Sequence, residues 1–128
     1  MKRSGFIAGL FAIIPTAALA DRQADKRAFL RKCDESISLE RLAGAPNKFI
    51  GKKVDLHGIV GPPMQDTSVF NLNSPENPSI FVVVLGDARN LERGQAVRVL
   101  ADVQKPISGA DNSGGSGTYA VLRARFIA

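Results

Sequence analysis

"KKVDLHGIVG", residues 52–61, decides the fold of this chain. Val54, Leu56, Gly58 and Val60 alternate with Asp55, His57 and Ile59, the period-two pattern of a strand with one face in a core. At Gly58 the alternation calls for an inward side chain and the sequence supplies none. A strand that bends sharply to serve both halves of a small barrel favours glycine at the bend, where no side chain blocks the turn.

Four downstream stretches read as strands too. "SVFNLN" (68–73) points Phe70 and Leu72 inward, and "IFVVVLG" (80–86) is the unbroken apolar run of a strand covered on both sides. "AVRVLADVQKP" (96–106) sets Val97, Val99, Ala101 and Val103 against Ala96, Arg98, Leu100 and Asp102. "YAVLRARFIA" (119–128) sets Ala120, Leu122, Ala124 and Phe126 against Val121, Arg123, Arg125 and Ile127. "GPPMQDT", "NSPENPS" and "ISGADNSGGSGT" are loops by composition, and "GDARNLERGQ" (86–95) reads as one helical turn closed by Gly94. Five short strands with a helical element between the third and fourth give the order of an OB-fold, a five-stranded Greek-key barrel. The fold class is therefore mainly β, with the barrel domain at 47–128.

Residues 21–46 form an N-terminal helical segment before that barrel. Ala24, Ala28, Phe29, Cys33, Ile37 and Leu42 make a narrow apolar stripe among charged residues, as in an amphipathic helix. A break is expected near Asp34-Glu35-Ser36, with Ser36 or Ser38 capping a second short helix that Gly44 and Pro46 end. Cys33 is the only cysteine, so its expected roles are a buried small residue on the helix or an intermolecular disulfide.

Residues 1–20 have the three regions of a secretory signal peptide: Lys2 and Arg3, the apolar run Phe6 to Ile14, and Ala18-Leu19-Ala20 before the cut. Cleavage after Ala20 predicts a periplasmic or secreted protein beginning at Asp21, with no transmembrane segment in the mature chain. No cysteine follows Ala20, so no lipid anchor is expected. Removing Lys2 and Arg3 lowers the formal charge from +5 to +3. Basic and acidic residues interleave along what remains, without the basic stripe of a domain that tracks a phosphate backbone.

The chemistry-bearing residues are few. His57 stands alone, whereas transition-metal sites need three or four convergent ligands. No G-x-S-x-G, H-E-x-x-H, C-x-x-C or phosphate-cradling glycine loop occurs. No catalytic residue, metal ligand or cofactor is assigned, and an enzyme is not expected.

The run "NKFIGKKVDLHGIVG", followed by "FNL", "IFVVVLG", "LERGQAVRVLADV" and "YAVLRARFI", resembles the exported bacterial OB-fold proteins of the tRNA-anti-like and BOF-type families. Gly51 to Val60 match their first strand, G-K-x-V-x-L-x-G-x-V, and Gly94 to Val99 match the G-x-x-V-x-V turn into their fourth strand. The resemblance spans about residues 47–127 and implies the barrel rather than a site.

Two functions from different classes follow. In the first, the domain is a non-enzymatic accessory of the bacterial envelope that docks on a protein partner through its N-terminal helix or a sheet edge. In the second, strands two and three and the flanking loops bind an oligosaccharide or single-stranded nucleic acid. The candidate face holds Val69, Asn71, Asn73, Phe81, Arg98, Tyr119, Arg123 and Arg125. Nucleic acid ranks lower, because Trp is absent, Tyr119 is the only tyrosine, and most phenylalanines fall on inward positions. The position of the exposed apolar surface, barrel or helix, discriminates between the two.

Overall fold

The computed structural model describes residues 10–62, 66–110 and 116–128. Its elements are α1 (Leu10–Lys32), α2 (Leu39–Gly44), β1 (Lys53–Val60), β2 (Val69–Asn73), β3 (Phe81–Leu85), β4 (Ala96–Ala110) and β5 (Ser116–Ile127). The described residues divide into two compact units, one up to Lys32 and the other from Cys33 onward. No helix among the described residues is long and apolar enough to cross a membrane.

The strands close into a barrel in the order β1-β2-β3-β5-β4, antiparallel except for β3 against β5. Five strands in this order, closed by one parallel pair, are the OB-fold. Alternation places Val54, Leu56, Val82, Val84, Val99 and Leu122 inside, all at most 3 % exposed. Ile37, Leu39 and Leu42 join the same core from before β1. Thus α2 lies in the same compact unit as the barrel.

Gly58 stands where β1 passes from β4 to β2. A Cβ there would lie 2.7 Å from Leu72 Cγ and 2.8 Å from the Asn73 carbonyl oxygen. The glycine is thus a matter of packing: it lets β2 approach β1 closely enough to pair Ile59 with Asn73 and Val60 with Leu72.

Four expectations are corrected. α1 begins at Leu10 rather than near Asp21 and runs through Ala20, since Ala and Leu in "TAALA" are strong helix formers. It stops at Lys32, so Cys33 and Ile37 are not on its face. There the Asp34 side chain accepts from the Ser36 N–H and hydroxyl, and the Asp34 N–H donates to the Lys53 carbonyl, drawing the chain onto β1. Residues 86–95 form two successive turns instead of a helical turn. Asp87 and Gln95 bond backbone N–H groups locally, competing with helix, and Gly94 takes a positive φ of 88°.

The fourth correction is at β4 and β5, which continue well past the expected strand ends. Ile107 pairs with Tyr119, Ser108 with Thr118 and Gly109 with Gly117, so much of "ISGADNSGGSGT" is a hairpin ladder; its residues 111–115 lie outside the described residues. Two bulges interrupt the ladder. Lys105 and Pro106 together oppose Ala120, a place where a residue lacking an N–H is tolerated. Arg125 is the extra residue between the pairs Ala101–Ala124 and Leu100–Phe126. It inverts the alternation, so Ile127 packs on the core in place of Phe126.

Candidate ligand-binding face

The outward rows of β2 and β3 alternate with buried Phe70, Leu72, Val82 and Val84. Register sets Val69 opposite Leu85, Asn71 opposite Val83, and Asn73 opposite Phe81. The parallel pairing of β3 with β5 then brings Tyr119 beside Phe81. Their rings stack with centroids 5.3 Å apart and planes inclined by 22°. Both line a depression of about 280 Å³, together with Glu40 and Ala43 of α2, Ser79 and Thr118.

Ser38 caps α2 by accepting from the Arg41 N–H at 3.1 Å, which places Glu40 in the first helical turn. Ser74, just past β2 and 1 % exposed, donates its hydroxyl to Glu40 Oε2. In return its oxygen accepts from the N–H groups of Glu76 (3.3 Å) and Asn77 (3.4 Å). Asn73 Nδ2 donates to the Pro78 carbonyl at 2.9 Å, tying the same loop to β2. The Ser74 hydroxyl favours the charged form of its acceptor and holds the Glu40 carboxyl below the usual range. Glu40 is therefore a carboxylate at neutral pH at the rim of the aromatic depression.

Around the barrel, on β1 and β4, the outward row is of a different kind. Arg98 grips Asp55 with two nitrogens, at 2.8 and 2.7 Å. Lys53 and Arg125 share Asp102, at 2.8 and 3.0 Å. Burial alone would raise the Asp102 pKa, but the hydrogen bonds and charges of its two cations outweigh it and lower the value. Cys33 lies near these pairs; burial pushes its thiol up, and Asp55 adds to the effect. His57 is exposed and opposite Arg98 in register. No group of three or more His, Cys, Asp or Glu converges among the described residues.

The eight residues expected on one face thus divide. Val69, Asn71, Asn73, Phe81 and Tyr119 share the outer surface of β2, β3 and β5. Arg98 and Arg125 are engaged by carboxylates, so they make no cationic stripe with Arg123. Arg123 is exposed opposite Leu85, lining a wider hollow of about 780 Å³ with Asp87 and Arg89. Asp87 and Arg89 form a local ion pair at 2.8 Å. Glu40, Ser79 and Thr118 escape sequence reasoning. Glu40 reads as one more charge on a solvated helix, and its partner Ser74 is 34 residues away.

No family model matches the chain, and no curated protein matches it. Among solved structures, two crystal structures of a mitochondrial single-stranded DNA binding protein from S. cerevisiae, one of them selenomethionine-labelled, are similar. The first is 17 % identical with a TM-score of 0.39, covering 61 % of this chain and 91 % of that one. The selenomethionine form is 16 % identical with a TM-score of 0.38, covering 61 % and 93 %. Strand order and register define the fold of this chain.

Proposed function

We propose that the protein is a non-enzymatic, exported OB-fold module of the bacterial envelope that binds an extended segment of a protein partner across β2, β3 and the β4–β5 hairpin. The observation that carries this reading is the Phe81–Tyr119 stack at the rim of a concave, mixed apolar and polar surface, a combination suited to holding a ligand. Ile107, 51 % exposed, pairs with Tyr119 and extends the apolar surface onto the hairpin. Among the residues whose side chains are described, the large exposed hydrophobics are Ile50 and Ile107, and neither is on α1. Both lie in the unit that holds the barrel, where they offer apolar contact area to a partner.

A protein segment fits this face better than a nucleic acid strand does. Single strands call for stacking platforms along a cationic groove, yet the charged group at this platform is Glu40, and Arg98 and Arg125 face carboxylates elsewhere. Hydrolytic chemistry is not supported either. Ser74, whose hydroxyl meets a carboxylate, is buried and already accepts two N–H donors, so it cannot reach a substrate. Export rests on the pattern of residues 1–20.

A photoreactive residue at Thr118, compared with one at exposed Arg27 of α1, tests the docking face in cells. Protein adducts from position 118 that disappear with Phe81→Ala are expected. Adducts from position 27 alone would overturn the reading. Sub-micromolar oligonucleotide binding that persists at physiological salt would replace the protein partner by nucleic acid, because binding through a few phosphate contacts weakens steeply with salt.

A further inference from the structure

We infer that the depression beside Phe81 and Tyr119 is a subsite for a cationic side chain of the partner segment, an alkylammonium or a guanidinium. This deepens the preceding proposal and rests on it.

Three independent features select a cation. The rings come first: a positive charge within about 6 Å of an aromatic centroid is drawn to the electron-rich face, and here two rings bound one small depression. The second feature is the carboxylate. Glu40 is ionised and oriented by a buried hydroxyl, so a cation arriving there meets a fixed acceptor and needs to immobilise little. The third is that the two cations close to Glu40 in sequence are engaged elsewhere. Arg41, next to Glu40, lies over the Phe49 ring at 5.4 Å and donates to the Ser36 carbonyl. Lys48 lies over the same ring at 5.7 Å.

The remaining polar groups of the depression agree. Ser79 gives its hydroxyl proton to Asn77 Oδ1 at 2.7 Å, which leaves its oxygen as an acceptor. Thr118 adds a second hydroxyl, 3.3 Å from that of Ser108. An ammonium carries three donors and no acceptor, and a guanidinium five donors. A carboxylate and hydroxyl oxygens around an aromatic pair complement those donors, whereas an anionic or purely apolar side chain would leave Glu40 facing a like charge or desolvated without a counterion.

The protein carries its own reporter. Tyr119 is the only tyrosine and tryptophan is absent, so intrinsic emission comes from the subsite itself. The probes are the peptide Ala-Ala-Lys-Ala-Ala, capped at both ends, and its counterparts with norleucine or glutamate at the centre. The lysine peptide should change Tyr119 emission saturably and bind about tenfold more tightly than the norleucine peptide. Glu40→Gln, nearly isosteric and still able to accept from Ser74, should bring the two within about twofold and lower the melt only modestly, since a neutral acceptor replaces a charged one. Equal affinity of the lysine and norleucine peptides for the wild type would overturn the cation assignment and leave an apolar docking face. Preference for the glutamate peptide would overturn it as well. No saturable response to lysine while crosslinks from Thr118 persist would show that the face docks a partner by other contacts; loss of both would remove the face altogether.

Discussion

The barrel wears two outer surfaces built on opposite principles. On β1, β4 and the end of β5 the charges satisfy one another: Asp55 takes Arg98, and Asp102 takes Lys53 and Arg125. On β2, β3 and β5 the surface presents stacked rings and Glu40, whose charge is set by a buried hydroxyl instead of a cation. A charge that has found its counterion within the fold is already committed. An ionised carboxylate whose neighbouring cations lie on a phenylalanine remains able to receive a partner. Counting arginines on outward positions therefore does not locate a binding face; their pairing does.

The largest expected effect lies at the seam between the two surfaces. A valine at Gly58 would drive a Cβ to within 2.8 Å of the Asn73 carbonyl, a backbone atom that cannot rotate away. Gly58→Val should destabilise by about 2–3 kcal/mol through overpacking, seen as a lower urea midpoint. A wild-type midpoint would mean that β2 yields easily and that the two surfaces are not rigidly joined.

Next comes Asp102→Asn, which leaves two cations without their carboxylate. Because Lys53 and Arg125 are substantially solvated, the loss should be about 1 kcal/mol, less at high salt. The sign of the pH effect follows from the lowered Asp102 pKa. Its contribution is complete above the unfolded value of 3.8 and is lost as the pH falls through the lower folded one. Melts of wild type and Asp102→Asn should therefore converge in strong acid. A gap that persists there would assign the effect to packing instead.

Much of this fold was legible because strand alternation and loop composition are local signals. The five strands and the break after α1 follow from neighbours in sequence, and the broken alternation at Gly58 marks the place, although its cause is the approach of Leu72 and Asn73 from β2. What escaped depends on register. The bulge at Arg125 makes Ile127 rather than Phe126 the residue that packs on the barrel core, and no residue nearby announces it. Gly- and Ser-rich residues 107–110 and 116–118 look like a loop because their β-propensity is low; pairing across the hairpin imposes the strand. The candidate site was half legible. Phe81 and Tyr119 were each readable as outward aromatics, but their stacking requires the parallel β3–β5 pairing, and the Glu40 anchor requires Ser74 to arrive from 34 residues away.

A smaller effect on stability separates the stack's role in folding from its role in binding. Phe81→Leu keeps an apolar side chain on a half-buried position and loses the ring pair, so about 0.5–1 kcal/mol should be lost. Crosslinking from Thr118 should nevertheless fall away. A large stability loss with crosslinking intact would make the stack part of the structural framework, like the ion pairs on the opposite surface.

The smallest effect belongs to the ion pair that resembles those of β1 and β4 in chemistry but not in setting. Asp87 and Arg89 are two residues apart in an exposed loop, and their hydrogen bonds hold the Asp87 carboxyl down at about 2. By linkage, any contribution it makes is present above 3.8 and disappears as the pH falls through about 2. Water competes at every point of this pair, and closing it orders a contact between residues that the unfolded chain already keeps together. Asp87→Asn should therefore superimpose on wild type in thermal melts at neutral pH, at low and high salt alike. A salt-sensitive loss as large as that of Asp102→Asn would show that this side of the barrel also relies on paired charge, and the contrast between the two surfaces would then reduce to Glu40 and the aromatic stack.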